Sequence, residues 1–230
     1  MSELTLPPAP GAARPVTIAA AIALACAIGL YVLTGTTLGL FFGGPVIVAL
    51  LLPPVVLMRD RFVQQGLIAS ALNDSVGIVW LTSVFTPHVS FVQWLLCYLL
   101  LAAFAFALWA MTSMLVALRM PKVVASAVAT VASLLWLSSP VWLSRIASER
   151  IFTSPLPAHP LMSINAVLKH LGIWAERPIA YNHLLNLGQD VAYQLPDSVL
   201  PGIFTHLIAG GVMFAIASAL TPRNPEVPSC

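Results

Sequence analysis

The stretch Leu67-Ile68-Ala69-Ser70-Ala71-Leu72-Asn73-Asp74-Ser75-Val76-Gly77-Ile78-Val79-Trp80-Leu81-Thr82-Ser83-Val84-Phe85 decides how this chain is read. It is long and apolar enough to cross a bilayer. Yet Asn73-Asp74 sits near its middle, where a carboxylate costs at least about 2.5–3.5 kcal/mol. Five further stretches raise no such objection: 16–33, 38–58, 92–118, 123–143 and 199–220. Each comes close to the roughly 20 apolar residues a helix needs to cross about 30 Å of hydrocarbon. The basic residues arbitrate, because they collect on the cytoplasmic side. If 67–85 is a span and the N-terminus is inside, then Arg14, Arg59, Arg61, Arg119, Lys122 and Arg223 are all cytoplasmic. The outer connections 34–37 and 86–91 then hold no Lys or Arg. Without that span, Arg119 and Lys122 move outside. The expectation is an all-α polytopic membrane helix bundle of six transmembrane helices in the inner (plasma) membrane, with both termini cytoplasmic.

Composition agrees. Of 230 residues, 59% are hydrophobic and 8% charged, with a mean hydropathy of +0.94; an average globular domain carries about 25% charged residues. A net charge of +2 is too small and too scattered to mark a nucleic-acid surface. The lipid bilayer is therefore the partner that composition demands. Residues 1–15, with Pro7-Pro8-Ala9-Pro10, read as a disordered Pro-rich cytoplasmic leader. Residues 16–143 carry spans one to five, 199–220 the sixth, and 221–230 a cytoplasmic tail. The first apolar run exceeds the about 7–15-residue core of a signal peptide and follows a single Arg14, so it reads as a retained helix.

The segment 144–198 is expected outside. Its Arg145, Arg150, Lys169 and Arg177 do not offend the charge rule, since long loops translocate regardless of charge. Ser154-Pro155-Leu156-Pro157-Ala158-His159-Pro160 reads as an extended connector, with Pro160 suited to the first turn of a helix. Leu161, Ile164, Val167, Leu168 and Leu171 make one stripe, Asn165 and Lys169 lie off it, and Gly172 is a stop. After Pro178, Tyr181, Leu184, Leu185 and Val191 share a face opposite Asn182, His183, Asn186, Gln189 and Asp190. Two short amphipathic helices are thus expected before the last span, lying along the outer interface or dipping partly into it, with Trp174, Tyr181 and Tyr193 at headgroup depth. Asp197 or Ser198 is expected to cap the last span.

Chemistry-bearing motifs are sparse. The sequence has no G-x-x-x-x-G-K-[ST] phosphate loop, H-E-x-x-H helix, C-x-x-C pair or G-x-S-x-G elbow. No catalytic residue, metal ligand or cofactor is expected of this chain. Cys26, Cys97 and Cys230 make no disulfide framework. Three polar groups stand out. Asn73 and Asp74 read as a proton or cation site at bilayer depth, as a local helix start capped by Asp74, or as a structural hydrogen-bonding pair. His183, Asn186 and Asp190 recur at i, i+3 and i+7, as a solvated face or as metal or acid–base groups joined by His159 and His170. His206 reads as a hydrogen-bonded packing residue within a span. The strip Arg59-Asp60-Arg61-Phe62-Val63-Gln64-Gln65 reads as a topology anchor or as a docking point for a cytosolic partner. Gly43-Gly44-Pro45 and Gly210-Gly211 permit close helix approach or a kink, and Pro53-Pro54 should bend or loosen the cytoplasmic end of the second span.

This layout resembles the membrane (permease) subunit of ABC-2-type exporters. Arg59-Asp60-Arg61-Phe62-Val63-Gln64-Gln65-Gly66-Leu67 occupies the place of that family's charged coupling segment between spans two and three. The stretch His159-Pro160-Leu161 through Leu168-Lys169-His170 is similar to its Asn-Pro-Leu start to a pre-span helix with a basic residue near the end. The family's N-terminal amphipathic helix is replaced here by the Pro-rich leader. The resemblance implies a separate cytosolic ATPase, a homo- or heterodimer of membrane subunits, and outer helices that help gate the exit. A non-catalytic structural or assembly subunit, and a membrane-embedded enzyme acting on a lipid-linked substrate, are the alternatives that the residues leave open.

Overall fold

The computed structural model describes residues 13–34, 37–58, 62–85, 89–146, 155–168 and 196–221. Among these, all regular structure is helical: α1 (Ala13–Thr34), α2 (Thr37–Val56), α3 (Phe62–Leu81), α4 (Phe91–Ala117), α5 (Lys122–Ile146), α6 (Pro160–Val167) and α7 (Leu200–Leu220). Short 3-10 turns at Thr82–Phe85 and Leu156–Ala158 extend α3 and lead into α6. Within α2–α5 and α7, the segments Gly39–Val56, Phe62–Phe85, Phe91–Ala117, Lys122–Pro140 and Leu200–Leu220 are long and apolar enough to cross a membrane. α1 adds the shorter apolar stretch Ala20–Gly29. Large apolar side chains such as Ile78, Val123, Phe204 and Ile208 face outward. That placement suits hydrocarbon rather than water. The chain is a multi-pass membrane helix bundle.

Two helices organise the packing. α2 touches α1, α3, α4, α5 and α6, while α4 touches α2, α3, α5, α6 and α7. The α2–α3 contact rests on Trp80, which is fully buried, stacks on Phe41 with ring centroids 4.6 Å apart, and donates its indole N–H to the Leu40 carbonyl at 3.1 Å. Only a glycine lets the two backbones come this close. A Cβ on Gly44 would overlap the Trp80 ring. Gly210 does the same for α7 against α4, where a Cβ would stand 2.6 Å from Phe106 and 3.1 Å from the Ala107 Cα.

Several expected boundaries move. α1 begins at Ala13, so the leader ends earlier than residue 15; Pro15 is accommodated because the first turn does not need its N–H. α2 runs through Pro53 and Pro54 to Val56. α5 runs through Pro140 to Ile146, past the expected end at 143. α3 is continuous across Asn73-Asp74, so Asp74 sits mid-helix and is not a local cap. At α4, Ser90 and Gln93 form a reciprocal capping box. Its far end is a Schellman motif: Arg119 N–H bonds the Val116 carbonyl (2.9 Å) and Met120 N–H the Leu115 carbonyl (3.2 Å). Arg119 takes φ 66° there, in the left-handed region that favours glycine.

The helix ends sort into two clusters. Leu57, Phe62, Arg119, Lys122 and Thr221, from α2 to α5 and α7, gather around one cavity of about 390 Å³. Leu96, Val167, Asp197 and Val199 line another, of about 270 Å³, at the opposite end. The α2–α3 and α4–α5 connections and the end of α7 therefore share one end of the bundle.

α6 starts at Pro160 as the sequence predicts, but it does not keep one free face. It packs on α2 and α4, and Asn165, expected off the buried stripe, is only 2% exposed. It ends at Val167, where Gln93 of α4 donates its side-chain amide to the last carbonyl at 3.1 Å. Gly172 and the second expected amphipathic helix lie outside the described residues. At the start of α7 the N-cap is Val199, with no side-chain capping bond, rather than Asp197 or Ser198; the Ser198 hydroxyl accepts the Leu200 N–H at 3.2 Å from one residue ahead of the cap.

Candidate functional site

Asp74 is the starting point, since an intramembrane acid needs an explanation. α3 presents Ser70, Asn73 and Asp74 toward α4, and Ser70 and Asp74 lie one helical turn apart. The Ser70 hydroxyl donates to one Asp74 oxygen at 3.1 Å. Across the groove, the Tyr98 hydroxyl of α4 donates to the other at 2.5 Å. Tyr98 is held in turn. Trp94 stacks on it at 5.4 Å with the planes 14° apart, and the Trp94 indole N–H donates to the Gly77 carbonyl at 3.0 Å. Gly77 makes room for this, because a Cβ there would lie 2.6 Å from the Tyr98 ring.

Ser70, Asn73, Asp74 and Tyr98 border a cavity of about 230 Å³ that also touches Phe106 and Trp109. Asp74 is half-buried, whereas Asn73 is 4% exposed and its Oδ1 has no hydrogen-bond partner. Of the readings open in the sequence, the closed Asn73–Asp74 pair is not what forms: Asp74 pairs with Ser70 and Tyr98, and an acceptor on Asn73 is left over. Ser70 was legible from its i−4 spacing to Asp74. Tyr98, Phe106 and Trp109 were not, because sequence alone does not set the register of α4 against α3.

The second polar feature is the 390 Å³ cavity at the shared helix ends. Arg119 and Lys122 border it, with Gln65 and the buried Ser113, whose Oγ has no partner. Gln65 also accepts the Trp109 indole N–H at 3.3 Å, which ties this end to the α3–α4 groove. Arg59, Asp60 and Arg61, next to it in sequence, lie outside the described residues, as do His170, His183, Asn186 and Asp190.

His159, at the start of α6, lies within the described residues, and it corrects an expectation. Both of its ring nitrogens are taken: Nε2–H donates to the Trp136 carbonyl at 2.9 Å, and Nδ1 accepts the Met162 N–H at 3.4 Å as the cap of α6. A carbonyl can only accept, so the ring is neutral with its proton on Nε2. It is 1% exposed, and burial pushes its pKa down to about 4. Such a histidine has no lone pair left for a metal or a substrate proton. His206 is a packing residue, as read from the sequence. Its Nδ1 lies 2.7 Å from the Gly202 carbonyl, and its ring meets Phe104 edge to face at 5.5 Å. Among the described residues, no three His, Cys, Asp or Glu side chains converge on a metal site.

No family model, curated protein or solved structure matches this chain.

Proposed function

We propose that this chain is the permease subunit of an ABC-2-type exporter in the inner membrane. In this reading six helices cross the bilayer, both termini are cytoplasmic, two membrane subunits pair, and a separate cytosolic ATPase drives them. One observation carries it: α6, a short helix that cannot span, is set into one end of the bundle and, among the described elements, precedes the last long helix. That is the place and size of the exporter's pre-span helix. His159 caps it with a ring nitrogen where the family's Asn would use its side-chain oxygen. At the opposite end, Arg119 and Lys122 stand among the gathered helix ends that flank the 59–61 strip. Positive charge favours that end as the cytoplasmic one. A subunit with no phosphate loop of its own needs a contact there to receive work from ATP.

The test is charge reversal. In mild detergent, the wild-type chain should co-purify in fixed stoichiometry with a protein that carries a phosphate-binding loop. The double variant Arg59→Glu/Arg61→Glu should lose at least ~90% of that partner while its membrane insertion is unchanged, since two directional cationic contacts become repulsive. Co-purification that survives the reversal counts against the reading. A fixed-ratio partner without ATPase activity would favour a non-catalytic assembly subunit.

A further inference from the structure

We propose that the cavity between α3 and α4 binds a small organic ammonium with an apolar or aromatic body, and that Asp74 is its counter-ion. The inference rests on that cavity alone and not on the exporter reading. Asp74 receives two neutral donors, from Tyr98 and Ser70. An ionised carboxylate offers about four lone-pair sites, so two donors leave both acceptor capacity and the negative charge uncompensated. Among the described residues, no Lys or Arg lines the cavity. A second need sits beside the first: the Oδ1 of Asn73, in a side chain 4% exposed, has no donor. A positively charged N–H donor group on Asp74 takes up that acceptor capacity and supplies the missing charge.

Size and wall chemistry choose the class of cation. About 230 Å³ is far more room than a bare metal ion fills. The site has one carboxylate, whereas a calcium-like ion takes about six to eight oxygen ligands. Phe106, Trp109 and Tyr98 supply the aromatic part of the same lining. Aromatic faces attract cations and pack against apolar carbon, most strongly where water is excluded. An ammonium group on Asp74, with its carbon body against Phe106 and Trp109, matches the chemistry of this lining.

The experiment uses the full chain in lipid nanodiscs and three probes: phenethylammonium chloride, its neutral counterpart 2-phenylethanol, and sodium chloride at matched ionic strength. Tryptophan fluorescence and the thermal midpoint report binding. Phenethylammonium should saturate, with 2-phenylethanol weaker by about tenfold or more, the loss expected when a charge-assisted contact worth about 1.4 kcal/mol is absent. Asp74→Asn should erase the difference between the two probes, and Asp74→Glu, which keeps the charge, should retain it. Equal binding of the alcohol, or a preference that survives in Asp74→Asn, overturns the proposal. So does saturation by sodium chloride in place of the amine. Should Asp74→Asn fail to fold, the comparison of the three probes on the wild type still decides.

Discussion

Gly44→Ala lowers the stability of the detergent-solubilised protein by about 2 kcal/mol or more, the upper part of the range for inserting a methyl group into a close-packed core. The new methyl would overlap the Trp80 ring. That ring has nowhere to go: it is fully buried, stacked on Phe41, and pinned by its N–H to the Leu40 carbonyl. Either α2 and α3 separate, losing contact along their length, or the indole leaves its acceptor and exposes a buried polar pair. The control is within the same protein. A Cβ on Gly211 meets nothing within 4 Å, so Gly211→Ala should be neutral or stabilising by up to about 1 kcal/mol through reduced chain entropy. Denaturant titration in detergent, read by tryptophan fluorescence, separates the two. Similar losses at both positions would mean that helix propensity, not the α2–α3 approach, sets the cost.

Acidification should weaken the protein through His159. Burial holds this imidazole down to about 4, below the 6.5 of an exposed histidine. Between those values the unfolded chain binds a proton that the folded chain does not, so stability rises with pH through this window. The contribution is complete above pH 6.5 and is lost as pH falls toward 4, by about 3 kcal/mol in all. The structural reason is specific. A protonated ring would turn Nδ1 into a second donor facing the Met162 N–H, uncapping α6. His159→Asn keeps an acceptor at the cap and gives up the bond to the Trp136 carbonyl. Thermal midpoints measured from pH 7.5 to 4.5 should fall for the wild type and flatten for this variant, the difference between slopes being the share of His159. Parallel slopes would remove His159 as the cause.

How far the sequence could be read depended on whether a signal was local. The long helices were legible because hydropathy and length are properties of continuous segments, and 67–85 held as helix despite Asp74. The capping box Ser90-Phe91-Val92-Gln93 is equally local, and its S-x-x-Q pattern announces it. Pro160 at the start of α6 was found for the same reason. Burial of α6 was not, because amphipathicity in eight residues cannot distinguish a membrane surface from a slot between α2 and α4. Asp74 was visible as an anomaly, but its partner Tyr98 lies 24 residues away on another helix, and no spacing rule connects them. His159 looked like a member of a polar outer cluster. Only the fold shows that both its nitrogens are used internally.

The central claim is an arrangement across the membrane. In the proposed arrangement the α2–α3 and α4–α5 connections face the cytosol, and α6 with the start of α7 faces the other side. Its most direct test is labelling of single cysteines with a membrane-impermeant maleimide, in a background where Cys26, Cys97 and Cys230 are replaced. Met58, Met120 and Asp197 are suitable positions, since all three are exposed at helix ends. In intact cells, Asp197→Cys should label, while Met58→Cys and Met120→Cys should label only after permeabilisation. Labelling of Asp197→Cys on the same side as Met120→Cys, or of Met58→Cys and Met120→Cys on opposite sides, would contradict the account.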